Sequence, residues 1–464
     1  MDIEKIKLLQ KYNPDLKIRE LKNDKTSIFI IYFETLCDSS QINDFILKPI
    51  NMNIITSIDD IKNKIPSGNL KDITDEKTLY DNLYSGFTIV CVKNKFLSFE
   101  TKYPLDSGIS EASNEKVIKG PKDAFTENYQ NNMGLIRKRI RSKDLKINEH
   151  VIGTSSKTKV ALFYVDGIAN KTLVDKIEKR LKNMTMDYVA NSNYIFENLE
   201  EKNTMLPTNL MTERPDFASF HLMEGRVVIL VENTPQVIVL PAFFNDYIKT
   251  IDDYYQNSKN VSVTRIIRVI ALIIAIFTPA VYVALATFNQ ETLPTGVLIN
   301  FSIQRGGVPF PTIVEAIVMW LIFEILREAD TRIPFVMGSS MSIVGALVVG
   351  QAAVDAGMIT PIMIIIIAVS SVASLLFNDN DIVNAIRIWK LIFLLLAAFT
   401  GLYGVFIASL IFLVKLCSIE SYGFDYTLPN APFNKEEQKD NFILTKKYKL
   451  NKRNPFLTKN IYRR

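Results

Sequence analysis

TRIIRVIALIIAIFTPAVYVALATF, residues 264–288, decides how this chain is read. Twenty residues from Val269 to Phe288 carry no charge. At 1.5 Å rise per residue, roughly 20 apolar residues are what a helix needs to cross the hydrocarbon core. Arg265 and Arg268 precede the run and no basic residue follows it closely, which predicts an in-to-out orientation. Pro279 falls mid-span, where lipid-embedded helices tolerate proline.

On the C-terminal side the apolar runs continue to Cys417. Residues 289–311, with Pro294, Gly306, Gly307, Pro309 and Pro311, read as a loop with a short interfacial helix. Thr312–Ile325 is apolar but holds Glu315 and Glu324. These membrane carboxylates mark either an ordinary span with interfacial acids or a bundle-interior helix facing a water path. Gly338–Gly357 carries two faces. Ser342, Ala346, Gly350, Ala353 and Gly357 form a small-residue face suited to close helix packing. Val344, Leu347, Val348, Gln351 and Asp355 form a second face, expected to line a pore or to pack inside the bundle. Five candidate spans result: 264–288, 312–326, 338–356, 358–377 and 390–416. The last follows an amphipathic start within 382–416 and counts as one crossing.

Residues 434–464 hold ten Lys or Arg against three acids, whereas the whole chain of 464 residues has a net charge of only +5. A basic tail belongs on the cytosolic side, near anionic lipid. Five crossings from a cytosolic N-terminus would put it outside. The expectation is therefore that both termini are cytosolic and that the short, Glu-bracketed 312–326 segment fails to cross. No signal peptide is visible at Met1–Gln10.

The N-terminal 260 residues are polar and weakly duplicated. FIIYFETLCD (29–38) matches ALFYVDGIAN (161–170): an apolar strand, then Glu34 or Asp166, then a helix-like stretch. SGFTIVCVKNKFLSFE (85–100) parallels EGRVVILVENTPQVIVL (224–240), both reading as β-hairpins. The expected fold class is an α/β N-terminal region of two related subdomains plus an all-α multi-span membrane domain. Its boundaries are 1–118, a linker with a basic helix at 119–154, 155–262 with an aromatic juxtamembrane segment, 263–417 in the membrane, and a basic cytosolic tail at 418–464. The linker cluster Arg137, Lys138, Arg139 and Arg141 reads as a solvated helix face, or as a contact with acidic headgroups or a neighbouring subunit. Without an aromatic platform it does not suggest nucleic acid. Three scattered cysteines and two distant histidines offer no metal-type spacing, and no phosphate loop, GxGxxG, GxSxG or HExxH is present. Strand-end acids such as Glu34 and Asp166 suit an active site or a helix cap. The chain reads as a non-enzyme without a cofactor or metal.

Several long blocks resemble the A subunits of bacterial spore germinant receptors, the GerA family. They are KGPKDAFTENYQNNMGLIRKRI (119–140), TKVALFYVDGIAN (158–170), TERPDFASFHLMEGRVVILVENTPQVIVLPAFF (212–244), VPFPTIVEAIVMWLIFEILREADTRIP (308–334) and SIVGALVVGQAAVDAG (342–357). The resemblance implies a multi-pass protein of the endospore inner membrane. Its implied partners are a transporter-like B subunit that senses the nutrient and a lipoprotein C subunit. It also implies a homo-oligomer whose centre conducts ions when germinant binds. A close paralogue, the F protein of the SpoVA membrane complex, shares these blocks without direct nutrient sensing. A secondary transporter is a further alternative, weakened because no inverted repeat is visible in the membrane half.

Overall fold

The computed structural model describes residues 3–462 except 24–25, 53–54, 56, 65–69, 104–114, 116–118, 201–203, 333–349, 378 and 436. The chain divides into two compact units. One comprises Met1–Glu201, Thr208–Ala242 and Tyr448–Arg464, the other Lys202–Pro207 and Phe243–Lys447.

The first unit is the duplication in three dimensions. Helix α1 (Ile3–Gln10) leads into strands β1 (Leu16–Asn23) and β2 (Thr26–Phe33). Short helices α2 (Ser39–Ile42), α3 (Lys48–Met52) and α4 (Ile58–Lys64) follow, then β3 (Leu70–Ile73), α5 (Glu76–Leu83), β4 (Phe87–Val92) and β5 (Lys95–Glu100). The second half repeats this plan with α6 (Tyr129–Arg139), β6 (Leu145–Ile152), β7 (Thr158–Val165), α7 (Lys171–Lys182), α8 (Ser192–Leu199), β8 (Leu210–Thr212), α9 (Pro215–Met223), β9 (Val227–Val231) and β10 (Val237–Leu240). The sheet orders are β1-β2-β4-β5-β3 and β6-β7-β9-β10-β8, the same antiparallel topology twice. The correspondence extends to single hydrogen bonds. Glu34 N–H donates to the Asp15 carbonyl, and Asp166 N–H to the Asp144 carbonyl.

Glu34 and Asp166 are not the caps of the helices that follow them. Glu34 pairs with Lys17 at 3.3 Å, and the Asp166 carboxylate accepts from Gly167 N–H. The caps come four residues later in both repeats, where Asp38 accepts from Ser40 N–H and Asn170 from Thr172 N–H.

Residues 119–154, expected as a linker, are largely part of the second repeat. β6 is the edge strand of its sheet, and α6 packs on α9 and β9. The expectation of a solvated basic face fails at Arg137, which has no exposed side-chain surface. Its Nε and Nη2 meet the Asp15 carboxylate at 2.6 and 2.5 Å, Nη2 also donates to Asn13 Oδ1 at 2.9 Å, and the guanidinium lies 4.3 Å from the Phe33 ring centre. Arg139 is held by Asp123. Arg137 thus joins the start of the first repeat to the helix that opens the second.

In the second unit, α10 (Ser258–Thr287) is a 30-residue helix, about 45 Å long, capped by Asn257. It packs against α12 (Thr312–Arg332), α13 (Pro361–Ser374), α14 (Asn380–Thr400) and α15 (Leu402–Ser418). Ala271, Ala275, Ala280, Ala284 and Ala286 make its buried side, which lets neighbouring backbones approach. The Ser370 hydroxyl, for instance, reaches the Ala275 carbonyl at 2.8 Å. Helix α11 (Thr295–Arg305) lies in the predicted loop and buries no residue. By length and apolarity, α10 and α14 qualify as membrane spans, with α13 and α15 as shorter apolar helices.

Two membrane segments differ in extent from those read off the sequence, although α12 is not among the helices that qualify as spans. The 312–326 segment extends into a continuous 21-residue helix, α12, about 31 Å long. The 390–416 segment, expected as one span, is two helices packed on each other through Trp389, Phe393 and Phe412. Gly401, at φ +65°, makes the break. A Cβ there would lie 2.6 Å from Asn289 Oδ1, and one at Gly404 would run into the Leu396 carbonyl.

Two predictions follow from these contacts. Arg137→Ala should cost about 3–5 kcal/mol in chemical denaturation of the N-terminal unit, the usual price of orphaning one member of a buried pair. The double change Arg137→Met with Asp15→Leu should recover much of that loss; single-site costs below about 1 kcal/mol would show the pair to be dispensable. Separately, Gly404→Ala should lower the thermal midpoint of the detergent-solubilised chain far more than Gly296→Ala, whose Cβ would meet nothing.

Candidate functional site

Arginine at the head of an apolar helix can remain wet or be surrounded by acceptors. Arg265 takes the second course, with no exposed side-chain surface. Its Nε donates to Asp253 Oδ2 at 2.9 Å, and its Nη1 to Asp440 Oδ1 at 2.9 Å and the Asn441 carbonyl at 2.7 Å. One turn on, Arg268 reaches both Asp253 oxygens at 3.0 and 3.1 Å and the Ile248 carbonyl at 2.9 Å. The Tyr254 hydroxyl donates to Asp440 Oδ2 at 2.7 Å. Two arginines and two aspartates therefore balance in one cluster.

Asp253 is placed by a 3-10 turn, Ile251–Tyr255, in which it also accepts from the Thr250 hydroxyl and N–H. Burial raises its pKa, but the hydrogen bonds and charges of Arg268 and Arg265 outweigh that and hold the carboxyl below its ordinary 3.8. Burial first, then the Asp440 carboxylate, holds the Tyr254 phenol well above its usual range. It stays a donor.

Asp440 comes from the segment expected to be a basic tail. The part of it that belongs to this unit packs against residues 244–262. Phe244 N–H donates to the Tyr426 carbonyl, Asn245 Nδ2 to the Leu428 carbonyl, and Leu444 N–H to the Ser262 hydroxyl. Sequence reading placed Arg265 and Arg268 at the entry of the span, whereas the helix begins earlier, at Ser258, and it missed Asp253 and Asp440 as their partners. No local signal singles out Asp440, which is one of three acids within the basic run 434–464.

The residues singled out in the membrane half divide by environment. Ser342, Val344, Ala346, Leu347 and Val348 lie outside the described residues. Residues 350–355 are helical. Gly350 is buried, and a Cβ there would only touch Ile364 of α13 at 3.6 Å, while Ala353 packs in the cluster of Tyr282, Met319 and Met363. Gln351 and Asp355 are exposed and hydrogen-bonded to each other at 3.2 Å. Gly357 ends this helix at φ +63°. Glu315 is 1% exposed, and its Oε2 accepts from the Thr360 N–H at 2.9 Å and hydroxyl at 3.0 Å. Glu324 pairs instead with Arg327 at 3.0 Å and Arg387 at 2.5 Å.

Comparison with known proteins places these features in context. The family described as Bacillus/Clostridium GerA spore germination protein matches residues 4–456. "Spore germination protein KA" of Bacillus subtilis is 35% identical over 439 residues, 92% of this chain and 80% of that protein. An uncharacterized membrane protein of the same organism, YfkQ, is 33% identical over 89% of this chain and 82% of its own length. The crystal structure of the N-terminal domain of the A subunit of the Bacillus megaterium spore germinant receptor GerK3 is 29% identical. It covers 52% of this chain and 95% of that domain, with a TM-score of 0.38.

The charge cluster makes a pH prediction. A carboxyl held below its ordinary pKa contributes stability that is fully present above the unfolded value and lost as pH falls through the folded one. The contribution of Asp253 should therefore be intact at neutral pH and disappear below about pH 3.8, the ordinary value. Asp253→Asn should lower the thermal midpoint at pH 7 and narrow its gap to the wild type on acidification; a gap independent of pH would remove Asp253 from the cluster's energetics.

Proposed function

We propose, on the premise that this chain belongs to the Bacillus/Clostridium GerA spore germination protein family, that it is the A-type membrane subunit of a nutrient germinant receptor. In this reading it works in the endospore inner membrane with a transporter-like B subunit and a lipoprotein C subunit. Copies of the chain assemble around an ion-conducting path that opens on nutrient binding. The family match along nearly the whole chain carries the reading.

The helix boundaries support a topology with both ends cytosolic. The split at Gly401 adds a crossing, so α10, α12, the apolar stretch 338–356, α13, α14 and α15 make six. An even number returns the basic tail to the cytosolic side without requiring 312–326 to stop short. The exposed pair Gln351 and Asp355 then belongs to the face that lines the path, together with Val344, Leu347 and Val348. Gly350 and Ala353 belong to the packing face, with Ser342, Ala346 and Gly357. Glu315 acts as a positioning group that fixes the head of α12 to the head of α13.

Deleting the chain from spores of its source organism should abolish cation release to at least one nutrient while leaving germination by a non-nutrient chemical trigger. Loss of both responses would favour the SpoVA-type paralogue, and loss of neither would overturn the reading. Gln351→Ala and Asp355→Ala should change the rate of nutrient-triggered cation release without lowering the amount of chain in the membrane. Wild-type rates for both would exclude this face from the path.

A further inference from the structure

The second half of α12 and the first half of α14 bring together two carboxylates and three cations. Glu324 and, beside Arg327, Glu328 are the carboxylates; Arg327, Arg387 and Lys390 are the cations. A single oxygen, Glu324 Oε2, faces both guanidinium groups. Lys390 is 3% exposed and, among the described residues, makes no hydrogen bond or ion pair, although Glu324 is close enough to act on its charge. The two tryptophans of the chain flank the cluster. Trp320 stands one turn before Glu324 on α12, and Trp389 adjoins Lys390; both indole N–H groups are buried without an acceptor.

Three cations thus face two carboxylates, and positive charge exceeds negative by one. An ammonium taken out of water without a counter-charge costs several kcal/mol. Orientation by the positive-inside rule explains cations near a membrane end, but it asks for no burial. The burial is graded: the guanidinium side chains of Arg387 and Arg327 are 33% and 26% exposed, while Lys390 is 3% exposed. Two forked donors beside a more deeply buried point charge suit a tetrahedral oxyanion with several acceptor oxygens.

We propose that this cleft between α12 and α14 binds a phosphate group, as carried by the headgroup of an anionic phospholipid. The lipid source rests on the topology above, which puts this half of both helices on the cytosolic side of the membrane, where anionic headgroups concentrate and long cationic side chains reach toward them. A soluble phosphate compound would use the same donors.

The test uses the full chain purified in non-ionic detergent and titrated separately with phosphatidylglycerol, phosphatidylcholine and inorganic phosphate. Thermal midpoint and tryptophan emission are followed, since both tryptophans report on this cleft. Phosphatidylglycerol should raise the midpoint saturably and shift the emission, and phosphatidylcholine should do neither. Lys390→Met should raise the midpoint in lipid-free detergent, because it removes an uncompensated charge, and should weaken the phosphatidylglycerol response at least tenfold. Arg387→Gln should weaken that response too. The same saturable response to inorganic phosphate would keep the site and reassign its ligand to a soluble phosphate. No response to either anion, or an undiminished one in Lys390→Met, would overturn the site. A Lys390→Met chain destabilised in lipid-free detergent would also overturn it, by showing that the ammonium is already compensated within the protein. Binding is read on the isolated chain, so its failure leaves the germination reading standing, and a spore phenotype at odds with that reading leaves this site standing.

Discussion

A guanidinium stripped of water must be surrounded by acceptors, and two arginines without exposed surface impose that requirement on this chain. Arg137 draws on Asp15 and Asn13, more than 120 residues earlier. Arg265 draws on Asp253 and on Asp440 and Asn441, the last two some 175 residues later. Neither arrangement is strong because ions attract. The desolvation penalty consumes most of the Coulombic gain, so the pairs add little over well-packed apolar residues. Their force is conditional. Once an arginine is committed to the interior, any fold that leaves its partners elsewhere is several kcal/mol worse, and that difference selects the register of distant segments.

Seen this way, the limits of the sequence reading are physical. The repeat was legible where both copies bury a strand on two sides, at β2 and β7 and in the two hairpins, because burial forces continuous apolar runs such as VVILV. It was not legible at β1 and β6. LKIRELKN and LKINEHVI are half polar, as edge strands facing water are, and periodicity alone left β6 inside a linker. Asp440 was invisible for a related reason. A charge sum over residues 434–464 averages away the one acid whose position matters, and no local pattern announces a partner that far along the chain.

The same distinction runs through the membrane half. Apolar length marks segments that can cross, but says nothing about where a long segment turns. The 35 residues from 382 to 416 hold an uninterrupted apolar run from Leu391 to Val414, and only Gly401 and Gly404 hint at a break. Their role rests on close approach: a side chain at Gly401 would collide with Phe288 and Asn289 just after α10, and one at Gly404 with Leu396 and Thr400. Glycine in an apolar helix is common enough that this hint has no force until the neighbours are known.

Glu315 and Glu324 show how little residue type settles on its own. Both are acids in one helix of apolar character, and the sequence invites treating them as a pair. Glu315 stands in the first turn of α12 and accepts from the residue that caps α13, so the positive ends of two helices converge on it and no cation is required. Glu324 lies past the middle of α12, eight residues before its end, and three cations surround it. The first carboxylate is therefore matched by fixed backbone dipoles that move only if the helices move. The second is matched by mobile side chains with charge left over. A change in the packing of α12 against α13 would be felt at Glu315 as lost hydrogen bonds, whereas a change in the ionic surroundings would be felt at Glu324. Within one 21-residue helix, the first turn and the middle are thus sensitive to different things: one to helix position, the other to what anion lies beside it.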